Sequence, residues 1–344
     1  MKTVIGMDLG DKSHFAVVLD GEGNEVRRGV VNNTRPAIRR FFAPWSGAAV
    51  VIEAGTHSMW ISRLLESMDL EVCVANPRSL PMIWKANDKS DKNDARKLAQ
   101  IYRAEPSLLD PIRHRGEQAQ KDMQVIKSRE ALVGARTKLV NHVRGSVKSA
   151  GGRIPSCDAG YFHTKAPEHI PCELTLVLLP MVKMIETLTE QIKAFDKAIE
   201  VLCRESYPET EIIREIGGVG PVTALSFRLV IDDPSRFAKS RLVGAYLGLT
   251  PKRDQSGQSD KQLRITKAGD KLLRKYLVNA AHSILGRNGR DCDLRRHGER
   301  IMERGGKNGK KRAAVAVARK LANLMHRLWV TGAVYDPFMN SRAA

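Results

Sequence analysis

An α/β domain followed by a mainly helical, strongly basic remainder is the fold class this sequence predicts. Three observations carry it. Short apolar runs alternate with amphipathic stretches across roughly the first hundred residues, the pattern of strands and helices taken in turn. Beyond them, apolar positions recur at three- and four-residue spacing over long stretches. The 57 Lys and Arg outnumber the 38 Asp and Glu, giving a net charge of +19. A chain of 344 residues holds two ordinary domains and a connecting element. A hydrophobic content of 42% supplies real cores and excludes disorder of the whole chain.

The first domain is expected over residues 1–112. TVIGMD (Thr3–Asp8) is short and apolar, as a buried strand is. HFAVVLD (His14–Asp20) and EVRRGVV (Glu25–Val31) follow, divided by the turn Gly21-Glu22-Gly23-Asn24, which makes an antiparallel meander. A helix starts at Thr34 with Pro36 in its first turn. AAVVIE (Ala48–Glu53) is a further buried strand, Ser58–Met68 a helix, EVCVAN (Glu71–Asn76) a strand and Ser90–Arg103 a helix. The order βββαβαβα is that of the RNase H-like fold.

Residues 113–208 change character. Two long helices, about Glu117–Ala150 and Glu173–Tyr207, are joined by a Gly/Pro/His-rich segment. Val125, Leu132, Leu139 and Val143, then Leu188, Ile192, Phe195 and Ile199, mark their apolar stripes. A coiled-coil spacer able to dimerise and two ordinary bundle helices fit this pattern equally. Residues 209–344 are helical and basic. The loop Lys252–Thr266 and a Gly/Lys linker, Gly305–Arg312, interrupt them before a last helix at Ala313–Val330.

The cationic excess calls for a polyanionic partner. A membrane is the weaker choice, because no apolar run approaches the ~20 residues of a spanning helix and Asp8 interrupts the N-terminal apolar run too early for a signal peptide. The five cysteines lie far apart without a CxxC pair, so neither a zinc ribbon nor a disulfide framework is indicated, and reduced thiols of a cytoplasmic protein are expected.

Chemistry concentrates in the acids that end apolar strands. Asp8 closes the first strand and Glu53 the fourth; Asp91 and Asp94 sit at i and i+3 near a helix start, on one side of it. In an RNase H-like sheet the first and fourth strands are neighbours and the final helix crosses their ends, so the four carboxylates converge. Such a cluster repels itself, and hard divalent cations relieve it. Two metals roughly 4 Å apart polarise a phosphodiester. Each acid taken alone has a blander role, as a favourable charge at a helix N-terminus or as a turn cap. The expected metal is Mg²⁺, or Mn²⁺ in its place, since every proposed ligand is oxygen.

MDLGDKSHFAVVL, VIEAGTHSMW and NPRSLPMIWKANDKSDKNDARKLA together resemble the DEDD, RuvC-like domain of the IS110 and IS1111 insertion-sequence transposases. The resemblance extends over nearly the whole chain. It implies an RNA-guided serine recombinase that acts on donor and target double-stranded DNA. A structured bridge RNA, encoded by the element itself and non-coding, is implied as the guide. A homodimer, or a dimer of dimers on DNA, is the implied assembly, in the bacterial cytoplasm at the nucleoid.

IREIGGVGPVTALSFRLVI (Ile212–Ile231) has the form helix, glycine turn, helix. Gly217, Gly218 and Gly220 let backbone amides approach a phosphate at a helix N-terminus, as in sequence-neutral helix-hairpin-helix DNA binding. A tight αα-hairpin with no ligand has the same spacing. In the loop that follows, the resemblance singles out Ser256, before Gly257, as the nucleophile that forms a 5′-phosphoserine link; Ser259 is its near rival. Lys252, Arg253, Lys261, Arg264 and Lys267 crowd the loop and suit a phosphorane. No histidine lies within the loop to activate the serine, so the DEDD metal, delivered from the other domain or another subunit, is the expected activator. Ten Lys and Arg against four Asp and Glu in residues 287–312 suit a phosphate backbone. By the same resemblance, Arg129, Arg136, Lys138, Asn141 and Arg144 are candidate RNA contacts. Trp60 and Trp84 are candidates for base stacking, with core packing favoured for Trp60.

Three other functions compete. A RuvC-like nuclease or junction resolvase hydrolysing DNA explains the carboxylates but leaves the serine idle. An actin-like sugar kinase shares GMDLG (Gly6–Gly10) as a phosphate loop, yet the sequence has no second phosphate hairpin and no glycine-rich adenosine motif. A non-catalytic RNA-binding scaffold explains the charge alone.

Overall fold

The structure, a computed structural model, describes residues 2–80, 90–257 and 259–339, with backbone only for 259–262. The chain divides into two compact units, Met1–His114 and Arg115–Ala344.

The first unit is a mixed five-stranded sheet in the order β3-β2-β1-β4-β5. Its strands are β1 (Val4–Asp8), β2 (Ser13–Leu19), β3 (Glu25–Asn32), β4 (Ala49–Glu53) and β5 (Glu71–Ala75). β1, β2 and β3 form the antiparallel meander, while β4 runs parallel to both β1 and β5. The parallel centre explains the unbroken apolar character of β1 and β4: both faces are covered, so alternation with polar residues disappears. Helices α1 (Arg35–Phe42) and α2 (Ser58–Glu66) cover one face, burying Ile38, Phe42, Ile61 and Leu65 against Ile5, Met7, Val50 and Ile52. Thr34 caps α1 by accepting from the Ala37 amide, with Pro36 in the first turn. Helix α3 (Asp91–Ala104) covers the other face, with Ala95, Leu98 and Ala99 on Val4, Val17 and Val51. This order of strands and helices is compatible with an RNase H-like domain.

The second unit is mostly helical. Helices α4 (Glu117–Ser149) and α5 (Thr175–Glu205) pack along one another. Ala119, Met123 and Ile126 of α4 and Ile199 and Cys203 of α5 join the large core of the unit. Val143, Val147, Phe162, Leu178 and Ile185 form a separate core at the far end of the pair. The helices read from sequence as a spacer thus share a core with the rest of the unit: α6 (Pro221–Ile231), α7 (Arg241–Tyr246), α8 (Lys271–Leu285), α9 (Asp293–Glu303) and α10 (Gly309–Thr331). α10 starts inside the expected linker, taking in Gly309–Arg312, because nothing in Gly-Lys-Lys-Arg breaks a helix beyond its first turn.

The stretch Lys252–Thr266, expected as a loop, forms an antiparallel hairpin of β6 (Pro251–Ser256) and β7 (Ser259–Ile265). Sequence patterning misses it for a physical reason: every residue of β6 is exposed, so neither face needs apolar residues and the period of two has nothing to mark it. Among the described residues no helix is long and apolar enough to cross a membrane.

Candidate functional site

The strand register brings the acids of the first unit together. Met7 lies beside Ile52 in the parallel β1–β4 pair, and the next residue on each strand is the acid, Asp8 or Glu53. Side chains alternate along a strand, so Asp8 shares a face with Gly6, and Glu53 with Val51, on the side covered by α3. A Cβ on Gly6 would lie 1.9 Å from the Ala95 carbonyl oxygen and 2.9 Å from the Ala99 amide. The absence of a side chain there lets α3 lie directly on the β1 backbone. Ser90 caps α3, accepting from the Asn93 amide, so the first turn with Asp91 and Asp94 starts at the strand ends.

Electrostatics register this arrangement. Burial pushes the Asp8 carboxyl up to about 6, and the negative charges of Asp91, Asp94 and Glu53 add to the rise. Asp94 is buried, at 7% exposure. Four carboxylates from three elements therefore share one end of the sheet, all offering oxygen. Among the described residues, no three such side chains are gathered closely enough to hold an ion in their present positions.

Sequence reasoning passed over the residues that support this end of the sheet. The Gly6, Ala95 and Ala99 contact has one signal, a glycine inside a buried strand. On the opposite face a polar network ties the loops. The Asn33 amide donates to the Asp11 carbonyl at 2.8 Å, buried His14 meets the Asn33 Oδ1 at 3.1 Å, and the Trp60 indole donates to His57 Nδ1 at 3.3 Å. Trp60 is packed against the core with Arg35 over its ring, while Trp84 lies outside the described residues.

In the second unit, Ser256 ends β6 and pairs directly with Ser259 across the hairpin. The two hydroxyl-bearing positions are cross-strand neighbours, which is why spacing alone could not separate them. Gly257, at φ +54°, takes the first turn position, where a left-handed backbone favours glycine. Ser256, Lys252, Arg253 and Arg264 are exposed on the hairpin, and Lys267 is exposed at its foot. The Lys261 side chain lies outside the described residues. The foot is tightly built: the Arg274 guanidinium donates to the carbonyls of Leu247 at 3.0 Å and Ala268 at 2.6 Å. A Cβ on Gly248 would meet the Ala268 amide at 2.2 Å, and one on Gly269 the Tyr246 carbonyl at 2.2 Å.

The glycine turn before α6 exposes Gly217, Gly218 and Gly220, while Ile216 and Val219 are buried beneath it. Gly218 is left-handed at φ +88°, and among the described residues no side chain caps the start of α6. The candidate RNA contacts of α4 are engaged within the protein to different degrees. Arg129 pairs with Asp196 at 2.5 Å, and Arg136 donates to the Thr189 hydroxyl at 3.2 Å. Arg144 donates to the Ile154 and Pro155 carbonyls and lies over Phe162. Lys138 and Asn141 are exposed.

Comparison with known proteins matches both units. Residues 5–150 fit the transposase domain model DEDD_Tnp_IS110, and residues 210–294 fit the model of the transposase IS116/IS110/IS902 family. The chain is 30% identical over 341 residues to a putative transposase, y4pF/y4sB, of Sinorhizobium fredii, covering 96% of this chain and 85% of that one. It is 27% identical over 289 residues to the transposase for insertion sequence element IS1111A of Coxiella burnetii, covering 82% and 77%. To the transposase for insertion sequence element IS1328 of Yersinia enterocolitica it is 25% identical over 346 residues, covering 97% and 98%. With acids closing neighbouring strands in one unit and a serine hairpin in the other, the chain belongs to the IS110/IS116/IS902 family of insertion-sequence transposases.

Proposed function

We propose that this transposase is an RNA-guided serine recombinase that cleaves and rejoins donor and target double-stranded DNA through a 5′-phosphoserine intermediate. The observation that supports it most is the convergence of Asp8, Glu53, Asp91 and Asp94, registered in the raised Asp8 carboxyl. Their all-oxygen donor set and mutual repulsion fit Mg²⁺ or Mn²⁺, whose bound charge would be the Lewis acid of the reaction. The RNase H-like, RuvC-like character of the first unit belongs to the same reading, as does helix-hairpin-helix contact at Gly217, Gly218 and Gly220.

The serine step balances without water. The Ser256 Oγ bonds to the scissile phosphorus, the bond from phosphorus to the 3′ oxygen breaks, and the proton given up by the serine ends on the freed 3′-hydroxyl. Lys252, Arg253, Lys261, Arg264 and Lys267 favour the charge that builds on the phosphate oxygens. Rejoining reverses the step with a different 3′-hydroxyl, so the phosphodiester energy is kept. A structured, element-encoded bridge RNA would choose donor and target by pairing, as base pairing does in other guided systems. A homodimer, or a dimer of dimers, is the proposed working assembly.

The test is adduct trapping on a suicide DNA substrate, with the bound RNA recovered and sequenced from the same preparation. Ser256→Ala should remove the adduct and all strand exchange while sparing nucleic-acid binding. Full recombination by Ser256→Ala overturns the serine mechanism, an adduct mapped to Ser259 moves the nucleophile, and persistent hydrolysis favours a nuclease.

A further inference from the structure

The cations of the last two long helices are not evenly used. On one flank of α9, Arg296 pairs with Asp291 at 2.7 Å and Arg295 with Glu299 at 2.8 Å. On the neighbouring stripe, His297, Arg300 and Arg304 follow at helical spacing of three and four residues. Arg319 and Lys320 of α10, which packs along α9, approach the same spot: of the charges that act on His297, those of Lys320, Arg300, Arg319 and Arg304 weigh most. Asp293, one turn before His297, and Glu299 and Glu303, which flank Arg300, are the acids of the same helix. None of these four cations takes part in an ion pair with the described residues.

The packing that concentrates them is specific. A Cβ on Gly298 would fall 2.5 Å from the Leu285 side chain and 2.8 Å from that of Val317, so α9 sits against α8 and α10 only because position 298 is bare. The stem of Arg319 lies on α7, where a Cβ on Gly244 would meet its Cγ at 2.6 Å, and Asn323 accepts from the Gly244 amide at 3.2 Å. From α7 the chain passes through buried Leu247 and Leu249 straight into the hairpin that carries Ser256.

Gathering like charges costs stability unless something opposite lies on them. We propose that His297, Arg300, Arg304, Arg319 and Lys320 form a clamp for the phosphodiester backbone of duplex DNA, next to the hairpin of Ser256. The choice of DNA rests on the proposed reaction, in which Ser256 acts on a DNA strand. The guanidinium groups grip phosphate oxygens, and the position of Arg319 on α7 fixes the gripped backbone relative to the foot of the hairpin.

The clamp also gives a pH signature. Burial and the surrounding cations, Lys320, Arg300, Arg319 and Arg304, hold the His297 imidazole below its ordinary value. A phosphate laid among those cations offsets them, so binding draws a proton onto His297 and affinity rises as pH falls.

The experiment is equilibrium binding of the full chain to a short random-sequence DNA duplex in chelator, across salt concentrations. Arg300→Ala/Arg304→Ala/Lys320→Ala removes three exposed cations, so the fold is kept. It should lower the log–log salt slope by about 2 to 3 and weaken binding at least roughly tenfold, whereas Lys183→Ala, which removes an exposed cation of α5 paired with Glu186, leaves the slope unchanged. His297→Gln should flatten the rise in affinity between pH 8 and pH 6. An unchanged slope in the triple variant overturns the clamp, and an unchanged pH profile in His297→Gln overturns the place of the histidine in it. A loss confined to a structured RNA hairpin, with duplex binding intact, overturns DNA as the occupant. Failure of the wild-type chain to bind any DNA would instead count against the proposed function, which separates the two outcomes.

Discussion

Asp8 and Glu53 stand at the carboxyl ends of neighbouring parallel strands, each one residue past the Met7–Ile52 pair. The relationship has an energetic price. Asp8 titrates at about 6 in the folded chain against an ordinary value of 3.8, so the native state binds its proton more tightly than the unfolded state does. The Asp8 contribution to stability is full below about pH 4 and is lost as pH rises through about 6. Asp8→Asn should therefore be more stable than the wild type at pH 7.5 in chelator. Because the group is partly solvated, the gain is about 1 kcal/mol rather than the ~3 that the full shift implies. The same variant should lose strand cleavage. Denaturant midpoints at pH 5 and pH 7.5 measure the effect, and a less stable Asp8→Asn at pH 7.5 contradicts it.

Gly6→Ala tests the helix contact that gathers the acids. Its Cβ would sit 1.9 Å from the Ala95 carbonyl oxygen, a backbone atom with no room to yield, so α3 must lift from β1. A loss of about 3 kcal/mol is expected, together with loss of cleavage. Val51→Ala at the neighbouring strand should cost stability without displacing α3. Comparing thermal midpoints and cleavage rates of the two variants separates them, and wild-type cleavage by Gly6→Ala contradicts the contact.

Gly257 turns the hairpin at φ +54°, and no atom of the described residues lies within 4 Å of its Cβ position. Against the described residues a substitution there meets backbone strain alone. Gly257→Asn should keep most recombination, because asparagine tolerates the left-handed region, while Gly257→Val should lose it at a local cost of roughly 1 to 2 kcal/mol. Equal activity in both would mean that the turn does not align Ser256.

Cleavage should require a hard divalent cation. Chelator is expected to abolish it and Mg²⁺ or Mn²⁺ to restore it, with Asp8→Ala/Asp94→Ala unresponsive to either. Undiminished cleavage in chelator contradicts a metal site at these carboxylates.

The sheet and its acids were legible because β1 and β4 are buried on both faces, which leaves an uninterrupted apolar run with a charge conspicuous at its end. Thr34 and Ser90 announced their helices through capping chemistry. The hairpin was illegible because its exposed residues answer to no core. The place of Gly6 against Ala95 was illegible too: the two are far apart in sequence, and closeness between a strand and a later helix leaves no periodic trace. Arg319 and Lys320 lie outside the basic run of residues 287–312, and their company with Arg300 and Arg304 comes from α10 packing beside α9, which spacing along the chain does not show.

The hairpin of Ser256 is a ribbon of two strands with an exposed first strand. Such a ribbon is marginal by itself in water. Here the Arg274 guanidinium and the bare positions at Gly248 and Gly269 anchor its foot. Any ligand that prefers the ordered ribbon adds stability by mass action. The serine thus rides on a springboard: bolted at the foot, and made firmer by the load it takes up.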